Sequence, residues 1–255
     1  MKRTVTVYFC FLVASAAVFL LPTTRGQIDL LGNSAQLTGL LFAGFSFWLA
    51  GQHAQHLKVQ KACSWIAFGM WIWGVGQLMV TYSELLLHQS PYGTVSSCFF
   101  VTGNVIIVAA VFSIVRHFFK TVIRKEDFWG YILPAVIVAC VLALVVIVMD
   151  WRLLTDPNRN GIWKILDLLY PFFDIMIVVL TIILTRVAKS SGDSNSIKAY
   201  AFLCSAFGIL LLGDMIAMDA TFEATLYRAV DVIYFSSYFL AAISGNFLAR
   251  GPAHH

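Results

Sequence analysis

The sequence predicts an all-α integral membrane protein, a single bundle of eight transmembrane helices, or seven if the first is a cleaved signal peptide. Hydrophobic residues make up 60% of the 255 residues and charged residues only 12%, which is more apolar material than one water-soluble core of this size could bury. The apolar runs are long and continuous. They indicate helices rather than the short alternating strands of a membrane barrel.

Eight apolar segments each approach the roughly 20 residues that cross a bilayer core. They cover residues 4–22, 34–52, 63–84, 94–119, 128–150, 162–187, 196–219 and 227–249. If the amino terminus is cytoplasmic, most Lys and Arg residues fall on inner segments, so we expect both termini in the cytoplasm and the bundle in the inner (plasma) membrane. The first segment also resembles a secretory signal peptide, although we expect it to be retained as a helix.

A weak internal repeat relates the third and fourth spans to the seventh and eighth. In that register Gly76-Gln77 faces Gly213-Asp214. Because both halves would start on the cytoplasmic side, the repeat predicts a parallel 4+4 duplication about an axis along the membrane normal. The single domain, 1–255, then divides into approximate halves 1–125 and 126–255.

Small residues recur every four positions on the last span, at Ser237, Ala241 and Gly245, and form a smooth ridge where another helix can approach closely. Ala201 and Ser205 on the seventh span have the same spacing. We therefore expect these two helices to pack on each other.

Acidic residues inside the later spans are the strongest functional signal. Asp167 and Asp174 lie seven residues apart on one predicted helix, so they share a face, and Pro171 between them favours a kink. Asp214 and Asp231 lie in the outer parts of the next two spans. Intramembrane carboxylates usually face the bundle interior or a water-filled cavity, so we expect a ligand-binding pocket that opens outwards.

Aromatic residues accompany these acids, and Tyr82, Tyr170 and Tyr234 are the candidate ligand contacts. A cage of rings and acids suits an organic cation or an aromatic ligand. The alternative is structural: the acids pair with Arg228 or Lys164, and the rings fill the core.

Three histidines fall at the inner surface, with His53 and His56 ending the second span and His117 ending the fourth. A haem or metal ion held between two helices is one interpretation. No CxxCH or HExxH motif accompanies them, so we interpret them as part of the inner basic surface and predict no cofactor. The short basic inner loops suit lipid headgroups, and no nucleic-acid-binding module is present.

Four motifs resemble the multi-helix membrane sensor regions that precede diguanylate cyclase, phosphodiesterase or histidine kinase domains in bacterial signalling proteins. They are WIWGVGQLMVTYSELL at Trp71–Leu86, YPFFD at Tyr170–Asp174, GDMIAMD at Gly213–Asp219 and RAVDVIYFSSYFLAA at Arg228–Ala242. The resemblance covers roughly residues 65–249.

The first half departs from that pattern. A Pro-Ser followed by an acid is expected near the start of the fourth span, where SPYGTVSSCFF begins at Ser90 without an acid. The resemblance implies a sensor module, here without an effector domain of its own, so we expect a separate cytoplasmic or membrane effector protein.

The leading hypothesis is a non-enzymatic sensor or receptor that binds a small ligand or cation in the acidic and aromatic pocket and signals to that partner. A proton- or cation-coupled transporter is the second hypothesis, favoured by the repeat and by a mid-membrane acid. An accessory subunit of a membrane complex, with haem held through His53 or His56 together with His117, is the third.

Overall fold

A computed structural model of the chain describes residues 25–54, 56–87, 95–121, 128–155, 161–218 and 224–250. The described residues form seven helices and no strand. These are α1 Arg25–His53, α2 Leu57–Leu85, α3 Val95–Thr121, α4 Phe128–Thr155, α5 Gly161–Ser191, α6 Ser194–Met218 and α7 Ala224–Ala249. The predicted first span, 4–22, lies outside the described residues.

Six of these helices, α2 to α7, are long and apolar enough to cross a membrane. The prediction of an all-helical chain with several membrane-competent helices is confirmed. The helix α1 is not among the six, and it begins at Arg25, before the predicted span 34–52. Its polar residues Asn33 and Gln36 are buried and hydrogen-bonded to other helices, so α1 is stabilised by interior partners rather than by hydropathy.

Six helices form a closed ring. Going round it, α1 packs against α2, α2 against α3, α3 against α5, α5 against α6, α6 against α7, and α7 against α1 again. The remaining helix, α4, lies outside the ring against α5 and, over a shorter stretch, α6. Its exposed residues recur at helical spacing, at Leu133, Ile137, Val141, Leu144 and Val148, which is the surface expected of a helix that faces lipid.

Helices that follow each other in the chain run in opposite directions, so the ring has two chemically different ends. The end where α1, α3, α5 and α7 begin holds Glu84, Asp214 and Asp231 in the nearer halves of their helices, and we call it the acidic end. The opposite end we call the basic end. It carries Lys58, Lys61, Arg116, Lys120, Arg186, Lys189, Lys198 and Arg250.

A tight turn reverses the chain between α5 and α6 at the basic end. Gly192 has φ +75°, a left-handed conformation that glycine adopts without the strain of a side chain. Asp193 then caps α6: its Oδ1 accepts from the backbone N–H of Asn195 at 3.1 Å, and its Oδ2 accepts from the Ser196 hydroxyl. This turn holds α5 and α6 side by side and antiparallel.

The helix α7 packs on α6, which confirms the predicted pairing of these two helices, although Gly245 of the small-residue ridge lies against α1. A Cβ at Gly245 would lie 2.8 Å from the backbone carbon of Ser46 and 2.9 Å from the backbone nitrogen of Phe47. Ser205 is exposed. The close approach at Gly245 therefore closes the ring between its first and last helices.

Candidate functional site

Asp174 lies near the middle of α5, and its side chain is 0% exposed. Pro171, one turn earlier and also buried, has no backbone N–H and so leaves one helix carbonyl without its usual donor. The helix continues through this point because its apolar faces pack on α3, α4 and α6. As a result an ionisable group is held deep in the bundle, where an isolated charge is costly.

The partner of Asp174 is another acid, Asp214 on α6. The two carboxyls are close enough to act on each other electrostatically, and no donor in the described part of the chain reaches either Oδ atom of Asp174. Two carboxylates offer only acceptors to each other, so the contact is favourable only if a proton or another positive group lies between them.

Tyr234 on α7 extends this pair towards the acidic end. Its hydroxyl donates to Asp214 Oδ1 at 2.7 Å. The ring lies flat on α6 because residue 213 is a glycine: a Cβ there would come within 2.8 Å of Tyr234 Cε1. The dipeptide Gly213-Asp214 thus provides both the space for the tyrosine and the carboxylate that it binds.

Aromatic residues surround the inner side of the pair. Tyr238, one turn after Tyr234, is buried and close enough to interact electrostatically with both carboxyls. Its ring lies 6.1 Å from that of Trp73 between centroids. Trp73 is only 3% exposed and donates its indole N–H to the backbone oxygen of Phe100 at 2.9 Å. The carboxyl pair therefore adjoins a dry aromatic core.

Asp231 is held by a different helix. Its Oδ1 accepts a 2.7 Å hydrogen bond from Gln36 on α1, and its carboxylate lies so close to Gly32 that a Cβ there would overlap it. The structure thus places Asp231 between α7 and α1, one turn from Tyr234.

The remaining predicted site residues are spread more widely. Tyr170 is half-buried on α5, with its ring 6.3 Å from that of Phe100. Tyr82 is 51% exposed, so its side chain does not share the interior with the acids. Asp167 belongs to α5, but its side chain lies outside the described part of the structure, as does that of Arg228.

A chain of amides between α1 and α2 was missed by the sequence analysis. Gln77 donates to Asn33 Oδ1 at 2.7 Å, and Asn33 in turn donates to Glu84 Oε2 at 2.7 Å. Both amides are buried. The sequence did contain a clue to this chain of amides. Asn33 and Gln77 are uncharged polar residues in or next to predicted spans, where a buried amide needs a partner.

Two of the three inner histidines meet at the basic end. The rings of His56 and His117 lie 6.0 Å apart between centroids, at 60°, and Lys58 lies near enough to act on His117 by charge. His53, the last residue of α1, is exposed. Among the described residues no group of three or more His, Cys, Asp or Glu side chains is arranged to hold a metal ion. Two imidazoles beside a lysine form an incomplete donor set.

No protein-family model, curated protein or solved structure matches the chain. Fold and site alone define its class: a helical protein with six membrane-competent helices, a ring of six helices, and an aspartate pair buried in the ring.

Proposed function

We propose that this chain is a receptor-like protein of the inner membrane that binds a proton or a small cation at Asp174 and Asp214 and signals to a separate effector. The observation that carries the proposal is the burial of Asp174 beside a second acid, with no donor to it among the residues that the structure describes. Such a pair is stable when something positive occupies it and repulsive when it is empty. Occupancy can therefore decide between two helix arrangements.

The route to the pair begins at the acidic end. Asp231, Tyr234 and Asp214 are all partly exposed, whereas Asp174 is closed off from solvent. This gradient of burial supports entry from that end, which in the proposed topology faces outwards with both termini in the cytoplasm. Eight spans, with residues 4–22 as the first, belong to the same proposal.

Transmission would use α5 and α6. Emptying the site leaves two negative carboxylates that repel each other across these helices, and Pro171 is the weak point at which α5 can bend. The displacement reaches the basic end through the Gly192 turn, which connects the two helices directly. An effector with acidic surface would read the change there, where Lys189 and Lys198 flank the turn.

Hydrogen exchange tests this proposal. Peptides of α5 and α6 should be less protected at about pH 8 than at about pH 5, because loss of the shared proton leaves two carboxylates that repel each other. Exchange is compared throughout after division by the intrinsic amide rate at each pH. The difference should vanish in Asp214→Asn, in which an amide donor reaches Asp174 at every pH. Asp193→Asn at the α5–α6 turn is the control, since asparagine preserves the helix cap. Equal exchange at both pH values in the wild type would contradict the proposal.

A proton- or cation-coupled carrier is the second candidate, favoured by the order of the ring. The contacts α1–α2–α3 recur as α5–α6–α7, and the two triplets meet twice, through α3–α5 and α7–α1. This order supports a repeat of three helices on each side, with α4 as the connection outside the ring. Carriers are often built from such repeats around a central site.

The helix boundaries support the same repeat. Counted back from the last residues of α1 and α5, His53 and Ser191, Gln36 takes the position of Asp174. Both side chains are buried. The same register aligns Asp29-Leu30-Leu31 with Asp167-Leu168-Leu169.

The next pair of helices agrees. Counted forward from Leu57 and Ser194, the first residues of α2 and α6, Gln77 takes the position of Asp214. In the proposed repeat the first half thus carries two buried glutamines where the second carries two aspartates, and only the second half has an ionisable centre. Lys61-Ala62 and Lys198-Ala199 align in this register.

Proteoliposomes separate the two candidates. A carrier should acidify or alkalise the lumen, followed with an internal pH dye, when a sodium or potassium gradient is imposed, and Asp174→Asn should abolish the flux. A receptor should show the pH-dependent exchange without flux. Flux in liposomes that contain Asp174→Asn would exclude the carboxyl pair as the coupling site.

A further inference from the structure

The number of ligand groups around the carboxyl pair restricts the kind of ion that the pair can bind. Hard metal ions such as Ca²⁺ and Mg²⁺ take about six or more oxygen ligands. The described residues offer two carboxyls at this point, Asp174 and Asp214, and one of these already accepts from the Tyr234 hydroxyl. No set of three or more metal-binding side chains occurs in the described ranges. The site is therefore poor in ligands for a metal ion.

An organic cation is disfavoured for a different reason. Asp174 is 0% exposed, so its carboxyl is closed off from solvent in this arrangement. On its inner side the pair adjoins Tyr238, which is itself buried and packed on Trp73. An ammonium group with substituents requires space around it, whereas a proton requires only the two facing oxygens.

We propose that the resident ligand is a single proton shared between the carboxyls of Asp174 and Asp214. This inference rests on the proposed function and names its ligand. One protonated carboxyl supplies the donor that both Oδ atoms of Asp174 otherwise lack, and it reduces the charge of the pair in the low-dielectric interior from two to one. The remaining negative charge is stabilised by the Tyr234 hydroxyl, which donates to Asp214.

The groups that face Asp174 come from two neighbouring helices. Asp214 comes from α6, and Tyr234 and Tyr238, which adjoin the pair, come from α7. Titratable side chains of α3 and α4 within the described part lie elsewhere: Cys98 and Cys140 are exposed, and Arg116, His117, Lys120 and Tyr131 lie near the basic end. On α5 itself, Tyr170 packs its ring on Phe100.

The proton exchanges with water through the partly exposed side of the pair. Asp214 is the member of the pair that solvent reaches, so a proton that leaves Asp174 passes to Asp214 and then to water at the acidic end. Loss of the proton creates two adjacent carboxylates and drives α5 and α6 apart. The proton is thus both the ligand and the contact that holds the two helices together.

Infrared spectroscopy of the purified full chain in lipid nanodiscs tests the assignment. At about neutral pH the wild type should show the carbonyl band of a protonated carboxylic acid, shifted in deuterated water, since buried acids without a donor stay neutral. Asp174→Asn and Asp214→Asn should each abolish the band. Asp193→Asn, which changes an acid already bonded to the backbone at the α5–α6 turn, should leave it unchanged.

Three results would overturn the inference: absence of the band in the wild type, persistence of the band in both Asn variants, or its loss on addition of sodium or calcium chloride at constant pH. If the Asn variants do not fold, the salt titration of the wild type still decides between a proton and a metal ion. The infrared band could behave as expected while the hydrogen exchange of α5 and α6 does not depend on pH. That result would contradict the receptor function but would still support the shared proton.

Discussion

The hydroxyl of Tyr234 donates to Asp214 Oδ1 at 2.7 Å and thereby joins α7 to α6 beside the buried Asp174. The bond links three helices into one polar unit, because Asp214 also faces α5. It is a hydrogen bond to an ionisable acceptor in a partly dry environment, which places it among the stronger kinds in proteins.

Removing that hydroxyl should weaken the bundle. We expect Tyr234→Phe to lower the free energy of unfolding by about 1–2 kcal/mol, because Asp214 loses a partly buried donor. Thermal unfolding of the nanodisc-embedded protein measures the change. Tyr82→Phe is the control, since that ring is half exposed and its change should stay within about 0.5 kcal/mol. Equal effects of the two substitutions would show that the Tyr234 bond contributes nothing specific.

Replacing the buried acid should separate stability from function. Asp174→Asn supplies an amide donor to Asp214 and removes one of the two like charges, so we expect a melting temperature equal to or above that of the wild type. The difference in hydrogen exchange of α5 and α6 between low and high pH should disappear. A variant that unfolds at lower temperature and still responds to pH would contradict both expectations.

A methyl group added at Gly213 should push α6 away from α7. In Gly213→Ala the new Cβ would lie 2.8 Å from Tyr234 Cε1 and 3.0 Å from Ile233 Cγ2, so the helices must move apart. We expect a loss of about 1–3 kcal/mol, typical of overpacking.

The matched control for Gly213→Ala is Gly208→Ala on the same helix, where a Cβ would meet nothing within 4 Å. Alanine has the higher helix propensity, so this variant should be unchanged or more stable by up to about 1 kcal/mol. The comparison by thermal unfolding isolates the clash from the general effect of replacing a helix glycine.

The amide chain of α1 and α2 should be structural. Gln77→Leu leaves Asn33 Oδ1 without its donor in a buried position, for an expected cost of about 1–3 kcal/mol. Thr102→Val is the control, because the exposed Thr102 hydroxyl bonds only a carbonyl of its own helix. If the repeat holds, Gln77→Leu should leave the infrared band of the acid pair in place, since the altered centre belongs to the other half.

Hydropathy predicted most of the helices, because each span is long and continuous. The largest difference is α1, whose interior amides lower its hydropathy, and the position of α4 outside the ring depends on contacts between helices far apart in sequence. The acids Asp174, Asp214 and Asp231 were predicted as one group. The structure brings Asp174 and Asp214 together, whereas Asp231 accepts a hydrogen bond from Gln36, 195 residues away. Sequence spacing within a helix contains no information on such a partner.

The buried amides escaped prediction because they carry no charge and lower hydropathy only slightly. Asn33 is recognisable as important only when Gln77 and Glu84 are seen around it. The functional expectations of a sensor or a carrier remain predictions, and the bacterial signalling resemblance is neither supported nor contradicted by the fold.

The hydrogen bond from Gln36 to Asp231 constrains the order of events during biosynthesis. When α1 leaves the ribosome its amides have no partner, and the partner on α7 is translated almost last. Asn33 can bond Gln77 as soon as α2 follows, whereas Gln36 lacks its partner until α7 arrives, so α1 is held in the bundle less firmly until then. A nascent chain truncated before α7 should therefore leave α1 accessible to water-soluble labels, and the arrival of the final helix should insert the first.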